Sequence, residues 1–109
     1  MSQFDVHRNN GRNGVVIPFV VVVQSSFYAK HRRRIVVPLV AAGEAWKDIE
    51  LPGTAINPVL MIDGVRVVLD PLEITSVALE SLGDKVGSLS AEGDAIIAAL
   101  DEVFSRAWS

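Results

Sequence analysis

At 109 residues the chain is the size of one domain, residues 1–109, with room for a single core under a large remaining surface. Half of its residues are hydrophobic and only 6% are aromatic, so the core is built mainly from Val, Ile, Leu and Ala, which favours β-rich packing. A net charge of −3 with a pI near 5.2 argues against broad attachment to nucleic acid, and the absence of Cys removes disulfides, thiol nucleophiles and Cys-based zinc sites.

No apolar run approaches the roughly 20 residues that span a bilayer. The amino end Met1-Ser2-Gln3-Phe4-Asp5 lacks the basic then apolar plan of a signal peptide, so a cytoplasmic protein is expected. Phe4 to His7 reads as a first strand, and Asn9 to Gly14 reads as a turn because Asn and Gly tolerate positive φ. Phe19-Val20-Val21-Val22-Val23 and Ile35-Val36-Val37-Pro38-Leu39 follow as two apolar runs around a polar, basic loop. Consecutive β-branched residues predict strands covered on both faces, and the short link predicts an antiparallel pair.

Ala41 to Lys47 is compatible with a helical turn or a loop, and Pro52-Gly53 is a turn signal. Val59 to Ile62 and Val65 to Leu69 flank Asp63-Gly64, the two-residue signature of a type I′ hairpin. Asp70-Pro71 ends the second arm, and Ile74 to Leu79 supplies a further strand. Ser90 is the expected N-cap of a final helix, with Glu92 and Asp94 in its first turn. Ile96, Ile97, Leu100, Val103, Phe104, Ala107 and Trp108 recur at helical spacing as an apolar face, and Glu102 and Arg106 are spaced for an i,i+4 pair.

Catalytic chemistry is thinly represented. His7 and His31 lie in different elements without metal-ligand spacing, and a lone His beside charged residues reads as a solvated surface group. The Gly residues form no phosphate loop and no Ser lies in G-x-S-x-G. No catalytic residue, metal ligand or cofactor is expected. The basic run Lys30-His31-Arg32-Arg33-Arg34 has three readings, a solvated loop at a sheet edge, a dock for an acidic protein and, last, a nucleic-acid contact. Trp108, with one residue beyond it, is hard to bury within one subunit and reads as a partner contact, whereas Trp46 suggests nothing specific.

Several of these features occur together and in order along nearly the whole chain. Gln3-Phe4, Gln24-Ser25, Arg33-Arg34-Ile35-Val36-Val37-Pro38-Leu39, Pro58, Met61-Ile62-Asp63 and Leu89-Ser90 before the last helix give the chain a pattern that resembles the CcdB family of toxins. The resemblance implies a mainly β, α+β fold, a small SH3-like antiparallel barrel or sheet with a carboxy-terminal helix. It further implies a homodimer that is not an enzyme, binds the DNA gyrase A subunit, traps cleaved gyrase-DNA and is neutralised by a CcdA-like antitoxin with an acidic tail. Neither direct nucleic-acid binding nor membrane binding is implied.

Carried onto this sequence, the family's gyrase-binding terminus corresponds to Ser105, Arg106, Ala107, Trp108 and Ser109. The chain departs from the family there. Ser105-Arg106-Ala107 stands where the relatives have a Trp-Gly-Ile type ending. Phe27, Tyr28 and Val103 correspond to dimer-facing positions, and Arg32 and Arg33 are candidates for the antitoxin. Two alternatives remain, a MazF-like endoribonuclease toxin using His31 and Arg32 to Arg34 on the same fold, and a non-toxic protein-binding module that uses the apolar helix face.

Overall fold

A computed structural model describes residues 2–11, 14–42 and 53–105. Its strands in chain order are β1 (Asp5–Asn9), β2 (Phe19–Val22), β3 (Arg33–Ala41), β4 (Val59–Ile62), β5 (Val65–Leu69), β6 (Thr75–Ala78) and β7 (Leu82–Ser88), followed by the helix α1 (Gly93–Ser105). All the strand pairings are antiparallel, and the order β4-β5-β3-β2-β1-β7, with β6 also on β3, curls into a half-barrel closed by α1. The expected fold class, mainly β with a carboxy-terminal helix, is the observed one.

The valine runs behave as a two-sided strand pair should. Val21 pairs with Val37 and Val22 with Val36, and all four side chains are buried even though neighbours along each strand point to opposite faces. One face carries Val6, Phe19, Val21, Val37, Leu39, Leu60, Ile62, Val67 and Leu69, packed with Leu89 and with Ile96 and Ala99 of α1. On the other face the register places Val22, Val36, Pro38, Val40, Val59 and Val68 together with Asp5, His7 and Arg34.

β3 serves two neighbours along one edge. Arg33 to Val36 pair with β6, and Leu39 to Ala41 pair with β5. Pro38 occupies the changeover between them, and its carbonyl on that edge accepts the Asp70 N–H at 3.0 Å. In a strand the N and O of one residue point the same way, so the missing proline N–H faces the gap and no ladder bond to β2 is lost.

The β4–β5 hairpin turns through Asp63 (φ 51) and Gly64 (φ 78), the left-handed pair that the type I′ turn requires. Pro71 ends β5 as expected and starts a single 3-10 turn, Pro71–Glu73. Gly53 has φ 91 and forms an isolated bridge to Pro58, where a Cβ would stand 2.3 Å from the Asn57 carbonyl oxygen. A side chain is therefore excluded there.

Several expectations need correction. The first strand begins at Asp5 and extends to Asn9, while Phe4 adopts φ 71 and sends its side chain against the core. The strand expected over Ile74 to Leu79 is Thr75–Ala78, and β7 was not foreseen. Ser90 does not cap α1. Ser90–Glu92 form a 3-10 turn, the Ser90 N–H donates to the Ser88 Oγ at 3.2 Å, and the α-helix starts at Gly93.

Gly93 lies flat against Phe4, where a Cβ would meet the ring at 2.7 Å. The inward face of α1 includes Ala99, which was omitted from the expected stripe, whereas Ile97 and Phe104 are exposed. Gly43 to Lys47, Pro52 and Arg106 to Ser109 lie outside the described residues, and with them the readings of Trp46, Trp108 and the Glu102–Arg106 pair.

Candidate functional site

The loop between β2 and β3 is the most distinctive surface of the described chain. Gln24 ties its two ends, since its Oε1 accepts the Ile35 N–H at 3.0 Å and its Nε2 donates to the Tyr28 carbonyl at 3.0 Å. Ser25 caps the 3-10 turn Ser26–Tyr28 by accepting the Phe27 N–H at 3.2 Å. The next residue reaches the amino end, where the Ser26 Oγ accepts the Gln3 N–H at 3.2 Å, while Gln3 Nε2 donates to the Val23 carbonyl at 3.0 Å. The polar residues after β2 thus act locally as turn makers.

The turn holds two large side chains in solvent. Phe27 is 84% exposed and Tyr28 52%, with ring centroids 5.0 Å apart in an edge-on arrangement. His31 follows, exposed, with its ring centroid 6.0 Å from that of Tyr28.

The basic run is divided by the strand it enters. Lys30 and Arg32 are exposed, and exposed Arg33 binds β6 by donating from Nε to the Ser76 Oγ and from a terminal nitrogen to the Ser76 carbonyl, both at 2.8 Å. Arg34 belongs to the buried face. Its guanidinium donates to the carbonyls of Ala29 at 2.8 Å, Arg33 at 3.0 Å and His31. A planar fork of donors suits this task because it satisfies several converging carbonyls at once. Arg34 is therefore a structural cation, and the solvated-loop reading fails for it.

His7 also departs from expectation, being buried in β1 with Nδ1 2.9 Å from the Gly83 carbonyl. A carbonyl only accepts, so Nδ1 carries the hydrogen, and Nε2 is buried without a partner. Asp5, two residues earlier on the same face, accepts the Ser2 N–H at 2.8 Å and pairs with Lys85 at 3.3 Å. Among the described residues no group of three or more His, Asp or Glu side chains is arranged to hold a metal ion.

Of the residues singled out from sequence, Tyr28, His31 and Arg33 line one recess with Gln24, Ile35 and Ser76. Phe27 stands on the same turn and Arg32 on the same loop. Val103 is half-buried on α1, two residues before exposed Ser105 at the helix end. The sequence reading missed Ile35, 43% exposed on β3, and the internal role of Arg34. Alternation along β3 groups Arg34 with Val36, Pro38 and Val40 but gives no signal for Ile35, which alternates with buried Val37 and Leu39.

No curated protein matches the chain. A family model described as CcdB protein matches residues 3–105, from the segment that docks on Ser26 through β3 to the last residue of α1. The ordered motifs, the curled antiparallel sheet and this match over nearly the full length show that the chain belongs to the CcdB family.

Proposed function

We propose that the protein is the toxin of a type II toxin-antitoxin module, a homodimer that binds the DNA gyrase A subunit, holds the enzyme on cleaved DNA and is neutralised by a CcdA-like antitoxin. The match to the CcdB family over residues 3–105 carries this reading. Binding rather than catalysis is the proposed mode of action. It is supported by the exposed apolar side chains of Phe27, Tyr28 and Phe104, which are of the kind that anchors protein interfaces.

In this reading Phe27, Tyr28 and Val103 contribute to the dimer, the segment from Ser105 to Ser109 meets gyrase, and Arg32 and Arg33 meet the acidic antitoxin. Incubation with gyrase, relaxed plasmid and ATP, followed by denaturation, should yield linear DNA. Unbroken plasmid at every toxin concentration would overturn gyrase trapping, and cleavage of RNA by the protein alone would favour the endoribonuclease alternative. Sedimentation at micromolar concentration should give a dimer, and a monomer would remove the proposed interface.

A further inference from the structure

Charge is distributed unevenly along this chain. From Val6 to Gly43 there is no Asp or Glu, while the same stretch holds Arg8, Arg12, Lys30, Arg32, Arg33 and Arg34. The β2–β3 loop lies inside that stretch, and its exposed cations Lys30, Arg32 and Arg33 have no acidic neighbour in sequence. In an acidic protein this creates a local positive field on one loop.

Beside the loop is a recess of about 310 Å³ formed by Gln24, Tyr28, His31, Arg33, Ile35 and Ser76. Its walls are apolar where Tyr28 and Ile35 contribute, and the Arg33 guanidinium is fixed at one side by two bonds to Ser76. The main chain around the recess is tied in place. Tyr28, Ala29 and His31 donate backbone N–H groups to the carbonyls of Ser25, Ser26 and Tyr28 at 3.0, 3.1 and 3.1 Å, and Arg34 collects the carbonyls of Ala29, His31 and Arg33 from below. A loop ordered before it binds loses less conformational entropy on association.

We propose that Arg34 is a positioning residue that sets the β2–β3 loop in a docking conformation, and that the adjoining recess receives one aliphatic side chain of an acidic peptide segment. The proposal rests on the antitoxin-binding part of the proposed function, names the anchor point for that partner and requires the recess edge of Tyr28 to stay open in the dimer. Acidic residues on either side of the anchor would face Lys30, Arg32 and Arg33, and a side chain of leucine size fits the apolar space between Tyr28 and Ile35. A nucleic-acid strand would bring phosphate and could stack a base on Tyr28, but the net charge of −3 opposes its approach.

Two synthetic peptides of equal length test this, one of Glu and Ser with a central Leu, the other with Ala in its place. The Leu peptide should shift the amide resonances of Tyr28, His31, Ile35 and Ser76, and the Ala peptide should bind about tenfold more weakly. Ile35→Asp, at a half-exposed position, should weaken Leu-peptide binding by a similar factor without moving the melting temperature appreciably. Arg34→Lys can reach only part of the carbonyl set, so it should recover much of the melting temperature that Arg34→Met loses while the peptide affinity stays low.

Should Arg34→Met fail to fold, Gln24→Ala removes two ties at the half-buried mouth of the loop and should reduce peptide affinity in a folded protein. Equal binding of the two peptides, shifts confined to α1, or full affinity in Ile35→Asp would overturn the proposal. Gyrase cleavage run in parallel separates the two ideas. Leu-dependent binding without linear DNA defeats the gyrase reading alone, and linear DNA without Leu-dependent binding defeats this inference alone.

Discussion

The two faces of the sheet are buried to similar depth but are made of different materials. The buried side chains of the face under α1 are apolar, from Val6 and Val21 to Val67 and Leu69, and among the described residues the buried polar ones, Asp5, His7 and Arg34, all lie on the opposite face. The apolar face gains stability through area alone, a non-directional effect. The opposite face also fixes orientation, since the bond from His7 to the Gly83 carbonyl depends on the register of β1 against β7, and Arg34 gathers three carbonyls of its own loop. Stability and arrangement of the docking loop are thus assigned to different sides of the same strands.

Substitutions can separate the two roles. Leu39→Ala removes a fully buried side chain from the α1 side and should cost about 2–5 kcal/mol in chemical unfolding. A loss below about 1 kcal/mol would mean that this face closes over the cavity and is less tightly packed than described. Gly93→Ala places a methyl group against the Phe4 ring and should cost about 1–3 kcal/mol, although Ala is the better helix former. An unchanged melting temperature would show that the Phe4 ring moves freely.

On the opposite face, His7→Leu gives up the bond to the Gly83 carbonyl but also removes the unpartnered Nε2, so stability should change by no more than about 1 kcal/mol. A loss as large as that of Leu39→Ala would show that the two faces are equally intolerant. The smallest effect belongs to Asp70, at the end of β5. Burial and the nearby Glu73 carboxylate raise its pKa above the ordinary value.

The folded chain therefore holds the Asp70 proton more tightly than the unfolded one. Between the unfolded pKa of about 3.9 and the higher folded value, this group's contribution to stability declines as pH rises, and the deficit persists at neutral pH. Asp70→Asn should give a slight gain in stability at pH 7 that vanishes below the unfolded pKa, as read from melting curves across pH. A gain independent of pH would assign the effect to something other than this carboxylate.

The parts of the fold that were legible in the sequence are those in which a local pattern and the tertiary fold agree. The runs Phe19 to Val23 and Ile35 to Leu39 could bury both faces only in a sheet interior, and Asp63-Gly64 determines its own turn wherever two strands flank it. β7 escaped notice because Leu-Gly-Asp-Lys-Val-Gly-Ser has two glycines, two charges and no steady alternation. It becomes a strand because β1 offers a template, and the irregular register opposite His7 absorbs the mismatch. Ser90 had the right residue type for a cap, but it lies inside the 3-10 turn Ser90–Glu92, whose N-cap position is Leu89, and the α-helix begins after that turn.

The candidate site was half visible. Phe27 and Tyr28 were recognisable as large side chains following a strand, and their exposure fits a surface role. The run of three arginines looked uniform in sequence, yet the pleat of β3 sends Arg33 and Arg34 to opposite sides, and only pairing with β2 and β6 determines which one is buried. Ile35 was counted as core because it sits within an apolar run. Its outward position makes it a wall of the recess instead.

The pairing of β1 with β7 has a consequence for the way the chain acquires its structure. Asp5 lies opposite Ser88, so this ladder joins the two ends of the described chain, whereas the β4–β5 hairpin joins neighbours across two residues. A hairpin of that kind forms in about 1–10 μs, but contacts that close nearly the whole chain carry the entropy of the loop before returning any stabilisation. β1 can form early on its neighbour β2, so β7, which pairs only with β1, should be the last strand to lock, and the meeting of Gly83 with His7 marks the step at which a collapsed sheet becomes the native one. Folding on a millisecond to second scale is the expected result for a sheet assembled this way.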